Sequence, residues 1–478
     1  MDPTFLPAWR LAELTRSGEI GCLELLDHFI ARVERLNSRI NAVVVRNFER
    51  ARTRARQLDR ARRTGPLFGV PMTVKESFDL AGLPTTWGYQ ERKAHRADAD
   101  ALAVQRLEQA GAVVFGKTNV PVGLADWQSY NPVYGTTSNP WNSGHTPGGS
   151  SGGAAAACAA GFGGLELGSD IGGSIRVPAH YCGIFGHKPS WGLCAPRGHS
   201  LVNAAAVTDI SVIGPLARSA RDLALALDVI AGADQLDSQL RITLPPPRAS
   251  KLSGLRVAMW SHEPGQTTDG ETIALLNGLA DRLERQGAAV SRTARPEFDP
   301  LEAFRLYITL LDAALSARLP EDALARKREA KTRLSADDMT TAALFVRAVD
   351  LTHREWLRLN ERRHQMRRAW DAFFRSWDVL LCPVIATPAL PHMQEGNPWD
   401  RSHTVDGRTI AYNDMLFWPG ITCAFHLPAS VAPIGCSRSG LPIGVQIVGP
   451  LHGDRTTIAV AELLEQCGHS FVPPMGWE

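Results

Sequence analysis

Two serines, one lysine and a run of glycines are the residues in this chain whose types and spacing could do chemistry. PGGSSGG occupies residues 147–153 and GSDIGGSIRVP residues 168–178, so Ser150 precedes Ser174 by 24 positions. A serine hydroxyl is a poor nucleophile until a base takes its proton, and acyl transfer also needs donors for the oxyanion. In DIGGS the side-chain-free Gly172 and Gly173 leave backbone N–H groups open just before Ser174, and such donors stabilise a tetrahedral oxyanion. Ser174 is therefore the candidate nucleophile.

Histidine is the usual base, but His145, His180 and His187 have no evident orienting carboxylate in the sequence and read as structural. Lysine serves instead where burial holds it neutral, because removing a cation from water lowers its pKa. Lys75, in VPMTVKESF, fits that need. With the period of two of a strand, Thr73, Lys75 and Ser77 share one face, and Glu76 points the other way. A lone strand lysine is more often an edge-protecting charge. Its combination with two glycine loops is what gives Lys75 a chemical reading.

At these residues the chain resembles the amidase signature family, whose hallmark is a GGSSGG block followed by GxDxGGSIRxP and preceded by a strand lysine. GVPMTVKESF, GAVVFGKTN, TSNPWN, GHKPSWG, IGPLARSARDLALAL and LPIGVQIVGP are also similar to family segments, and the likeness is weakest over about residues 261–377. The resemblance implies an α/β amidase signature fold, a central mixed sheet covered by helices on both faces. It further implies a Ser-cisSer-Lys triad: Ser174 the nucleophile, Ser150 the relay on a cis peptide, Lys75 the base. Ile171, Gly172, Gly173 and Ser174 would form the oxyanion loop, and Ser151, Asp170 and Arg176 would support the triad. The implied reaction is hydrolysis of amide C–N bonds through an acyl-enzyme, with ester or carbamate (urethane) side activity and no metal or cofactor.

Substrate choice is expected from LADWQSYNPVYGTT and YNDMLFWPGIT, where Trp127, Gln128, Tyr130 and Trp418 are candidate pocket walls favouring a hydrophobic or aryl substrate. Three competing readings carry less. Residues 149–153 also satisfy G-x-S-x-G with Ser151 as nucleophile, but no Asp and His follow in convincing context. PGGSSGGAAAA could also be read as a glycine-rich phosphate cradle at a helix start, yet it lacks the P-loop spacing and needs no Lys75. Within the family, the rival is the glutamine-hydrolysing amidase subunit of a glutamyl-tRNA amidotransferase complex. That subunit usually reads DTGGSIRQP and GSSTEN where this chain has DIGGSIRVP and DWQSYN.

The elements that must position these residues follow from periodicity. Two helices lie within residues 8–36, NAVVV is a strand, and FGVPMTVKESF, ADALAVQRLEQAG and AVVFGKTN alternate strand, helix, strand. Residues 46–63 form an Arg-rich helix with a solvated face. GGAAAACAAG reads as a small-residue helix whose glycines permit close backbone approach, and GLELGSD as a strand. Residues 261–377 look like a peripheral helical region, after which DVLLCPV, PASVAPIG and LPIGVQIVGP return to strands. A single domain over 1–478, with one sheet assembled from both ends, is the expectation.

With 51 Lys and Arg against 49 Asp and Glu, the net charge of +2 is too balanced for a protein that grips nucleic acid. Eight scattered cysteines without paired spacing argue against metal sites and a disulfide framework and for a reducing cytoplasm. No signal peptide or membrane span is expected. The expected partner is a small amide or carbamate substrate, and the expected state a monomer or homodimer.

Overall fold

The computed structural model describes residues 2–201, 205–235, 239–240, 242–317 and 319–477. Its centre is an eleven-stranded sheet. In spatial order the strands are Val43–Arg46, Val113–Thr118, Pro71–Lys75, Leu165–Asp170, Val212–Ala217, Phe185–Lys188, Ala429–Cys436, Pro442–Val448, Val379–Pro383, Arg256–Met259 and Ala289–Ser291. Pro71–Lys75 is parallel to both of its neighbours, whereas the strands from Leu165–Asp170 to Val379–Pro383 pair antiparallel, so the sheet is mixed. Both flanks of the chain meet where Ala429–Cys436 pairs with Phe185–Lys188.

Alternation along single strands shows why helices cover both faces. Val379 and Leu381 pack into one hydrophobic cluster, and Leu380 and Cys382 into a second on the opposite face. The first cluster takes the helices Ala8–Ser17, Cys22–Leu36, Ala220–Ile230 and Asp454–Gln466. The second takes Arg176–Cys182, Pro300–Ser316, His353–Ser376 and Phe417–Cys423. Met72 and Val74 belong to the first cluster, so Thr73 and Lys75 project to the face of the second.

The expected peripheral helical region at about 261–377 bears on the sheet in two ways. The region is largely helical, but it contributes the edge strand Ala289–Ser291, and Tyr307 and Ile308 of Pro300–Ser316 are fully buried on the face toward which Lys75 points. None of the helices among the described residues is long and apolar enough to cross a membrane.

The glycine-rich block does bring backbones together. The helix Gly152–Ala159 is buried along its whole length, and a Cβ on Gly153 would stand 2.3 Å from the backbone nitrogen of Asn119. Gly278, inside the helix Gly270–Arg285, has nothing within 4 Å of such a Cβ. Gly153→Ala should therefore destabilise by about 2 kcal/mol through forced backbone displacement. Gly278→Ala should be neutral or stabilising by up to about 1 kcal/mol, from helix propensity alone. Urea unfolding midpoints of the two variants check this, and equal midpoints would contradict it.

Candidate active site

Lys75 ends its strand with no solvent exposure, and its Nζ donates to Ser150 Oγ at 2.7 Å and to Ser169 Oγ at 2.9 Å. Burial pushes its pKa well below the usual lysine value, with the charge of Asp170 opposing. Glu76 points away, as the period of two predicts. Its carboxylate accepts from Thr86 N at 2.6 Å, Trp87 N at 3.0 Å and Tyr134 Oη at 3.1 Å. The Gly149–Ser150 peptide is cis.

Ser174 sits in a turn between the strand Leu165–Asp170 and the helix Arg176–Cys182. Asp170 braces that turn: Oδ1 accepts from Gly173 N at 2.8 Å and Oδ2 from Ile175 N at 3.0 Å. Arg176 grips the same carboxylate in a two-point pair at 2.8 and 3.0 Å, both side chains fully buried. Burial alone would raise the Asp170 pKa, but the Arg176 guanidinium holds it well below the usual range. The remaining Arg176 donors reach Pro419 O, Thr422 Oγ1, Gln446 Oε1 and Cys423 Sγ. Ser151 joins the two glycine loops: its N–H donates to Ser174 O at 3.1 Å, and its Oγ bonds to Ser169 O and N, each at 3.3 Å.

The loop ahead of Ser174 is oriented through its carbonyls. Tyr307 Oη donates to Ile171 O at 3.0 Å and Trp127 Nε1 to Gly172 O at 3.1 Å. In a trans peptide C=O and N–H point opposite ways, so the Gly172 N–H is turned away from Tyr307. The same logic turns Gly173 N–H away from Trp127 and onto Asp170. Gly173 is thus corrected as an oxyanion donor, because its N–H is already bonded. The N–H groups of Ile171, Gly172 and Ser174 have no acceptor among the described residues.

Ser150, Ser169 and Ser174 line a cavity of 580 Å³ whose other walls include Trp87, Tyr89, Leu315, Phe345 and Trp399. A second recess of 100 Å³ shares Ser174 and Ile171 and adds Trp127, Gly172 and Tyr412. Trp127 therefore is a pocket wall, but three other expected walls are corrected. Gln128 is fully buried and clamps the backbone of Met393 with bonds of 2.7 and 2.8 Å. Tyr130 Oη accepts from Arg401 at 2.7 Å, off the cavity. Trp418 lies in the core against Trp260, its Nε1 donating to Thr268 Oγ1 at 2.8 Å.

Ser169, the second acceptor of Lys75, was missed by sequence reasoning although it stands inside the quoted GSDIGGS. Tyr307, Leu315 and Phe345 carried no sequence signal, since they come from the segment of weakest family likeness. His187 does have a carboxylate partner, Asp454 at 3.2 Å, and bonds Ser430 Oγ at 3.0 Å. All three are fully buried away from both recesses, which makes this a core network. Ser151 is equally buried, and a phosphate cradle is corrected as well: the first N–H groups of Gly152–Ala159 are taken by Ser129 Oγ and Asn119 O.

The Amidase family model matches residues 24–458. A glutamyl-tRNA(Gln) amidotransferase subunit from Synechococcus sp. (strain CC9605) is 33% identical over 498 residues, covering 98% of this chain and 96% of that protein. The 6-aminohexanoate-cyclic-dimer hydrolase of Paenarthrobacter ureafaciens is 34% identical over 477 residues, 95% of this chain and 93% of that one. Among solved structures, a bacterial aryl acylamidase belonging to the amidase signature enzymes superposes with a TM-score of 0.82 at 26% identity, covering 97% of each chain. A buried lysine, two serine loops and a mixed sheet thus stand in a chain that belongs to the Amidase family, the amidase signature enzymes, and is an enzyme acting on carbon–nitrogen bonds.

Proposed function

We propose that the protein hydrolyses amides of hydrophobic or aryl character through an acyl-enzyme on Ser174. The observation that carries this reading is the 2.7 Å contact between Ser150 Oγ and the amine of Lys75, whose pKa burial pushes well below the usual lysine value. Neutral Lys75 takes the hydroxyl proton of Ser150 as Ser150 takes that of Ser174, and Ser174 Oγ bonds to the carbonyl carbon. The oxyanion is received by the N–H groups of Ile171, Gly172 and Ser174, which have no acceptor among the described residues. Collapse breaks the C–N bond, and the proton held by Lys75 passes back through Ser150 to the departing amine. Water then attacks the acyl ester by the reverse relay, releasing the acid and restoring the Ser174 hydroxyl.

Apolar and aromatic walls at Trp87, Leu315, Phe345 and Trp399 support a hydrophobic or aryl substrate, as does the likeness to an aryl acylamidase. Esters and carbamates present the same carbonyl to Ser174 and are expected as side substrates. The likeness to the amidotransferase protein favours a second reading, release of ammonia from glutamine with partner subunits. Purified protein that frees aniline from simple anilides without a partner supports the first. Turnover of glutamine alone, and only in a complex, supports the second.

Ser174→Ala and Lys75→Ala should each lower kcat by at least about a thousandfold in folded protein, since units of a relay fail together. Retained turnover in either variant contradicts the assignment. The pH dependence has a definite sign. A protonated Lys75 cannot accept, so kcat/KM rises with pH through the free enzyme's lysine pKa and levels off below the 10.5 of an ordinary lysine. A flat profile from mildly acidic to alkaline pH, or a midpoint at 10.5 or above, would sink it. Tyr307→Phe removes the bond that turns Ile171 O outward, and should lower kcat about tenfold while leaving KM nearly unchanged. A change confined to KM would assign Tyr307 to ground-state binding instead.

A further inference from the structure

The wall of the 580 Å³ cavity holds a charge pair that the relay does not use. Asp312 and Lys327 both line it, and Lys327 Nζ donates to Asp312 Oδ1. The Asp312 side chain has no solvent exposure, and its Oδ2 has no hydrogen-bond partner among the described residues. An unpartnered carboxylate oxygen buried in a cavity wall is costly, and a ligand donor would relieve that cost. Burial raises the Asp312 pKa to about 6, the Lys327 charge opposing, so the carboxylate is an acceptor at neutral pH.

Lys327 brings the complementary group. Its ammonium stands 3.9 Å from the centroid of Phe345, whose ring stacks on Trp399 at 3.8 Å. An ammonium has three donors, of which Asp312 engages one. A free acceptor beside a cation with donors to spare matches one neutral group, an N–H next to a C=O. A ligand ammonium would face Lys327, and a ligand carboxylate would face Asp312, each a like-charge contact. Apolar residues line the same cavity, Ala314, Leu315 and Ile171 among them. Asp312 follows Tyr307 by five residues on the helix Pro300–Ser316, roughly 7.5 Å along the axis at 1.5 Å per residue. Leu315, three residues after Asp312, lines both this cavity and the recess that holds Ser174, so an apolar spacer along it would join the reacting carbonyl to the pair.

We propose that Asp312 and Lys327 receive a second amide or carbamate group of the substrate, its N–H on Asp312 Oδ2 and its C=O on Lys327 Nζ. The favoured substrates are then bifunctional, two such groups joined by an apolar spacer. This deepens the reading of Ser174 as nucleophile and rests on it for which bond is cut.

The test uses p-nitroanilides whose acyl chains, over a series of spacer lengths, end in an N-methylamide or in the methyl ester of equal length. The swap deletes only the distal N–H, and p-nitroaniline release reports the cut. Wild-type enzyme should favour the amide-ended member at least about tenfold in kcat/KM at one spacer length. In Asp312→Asn, where an NH₂ can occupy the place of the acceptor, that ratio should fall to about 1. A wild-type ratio near 1 at every length overturns the proposal, as does a preference that persists in Asp312→Asn. Calorimetric binding of the same pairs to Ser174→Ala separates the two claims. Tighter binding of the amide-ended member without wild-type turnover would keep the receptor and sink the hydrolase reading; equal binding alongside brisk turnover would do the reverse.

Discussion

The site depends on keeping one lysine out of water while giving it no carboxylate of its own. A buried ammonium is expensive unless an opposite charge compensates it. Asp170 is the charge that acts on Lys75, but Arg176 holds that carboxylate at two points in the interior. The pair is close to neutral as a unit, so burial prevails over attraction and Lys75 has two serine hydroxyls for neighbours. Arg176 thereby does two things at once. It fixes the turn that carries Ser174, and it engages the Asp170 carboxylate whose charge opposes the lowering of the Lys75 pKa. Losing one partner of such a buried pair typically costs about 3–5 kcal/mol, so the turn and the electrostatics stand or fall together.

The fold answers that requirement by layering. Lys75 projects from the interior of a sheet, the glycine helix Gly152–Ala159 packs tightly enough to bring Ser150 onto it, and Pro300–Ser316 closes the same face. From that helix Tyr307 sets the loop of Ser174, and Leu315 and Asp312 continue as cavity wall. One helix thus couples the orientation of the loop ahead of Ser174 to the shape of the cavity.

Much of this was legible in the sequence, and the reasons are physical. Glycines at 149, 152 and 153, the strand period around Lys75 and the spacing of Ser150 and Ser174 are local facts, and local facts survive folding. The direction of a side chain in a loop is not local. Trp418 and Gln128 looked like pocket walls because aromatic and amide groups near the glycine block could have faced a ligand. Packing against Trp260 and the backbone of Met393 decided otherwise. Gly173 looked like an oxyanion donor until the Asp170 side chain, three residues earlier, took its N–H. Tyr307, Asp312 and Lys327 come from a stretch whose periodicity says helix and nothing more. Their chemistry exists only once the sheet has brought residues from both halves of the chain to one cavity.

The charge state of Lys75 is the most direct test of this account. Protein labelled with ¹³C at the lysine ε-carbon, with Lys75→Met to assign the resonance, can be titrated by NMR with no substrate present. One lysine signal, absent in the variant, should keep the shift of a neutral amine at pH values well below 10.5, where ordinary lysines are protonated. If that signal instead titrates with the surface lysines, the proton relay has no acceptor and the account is wrong.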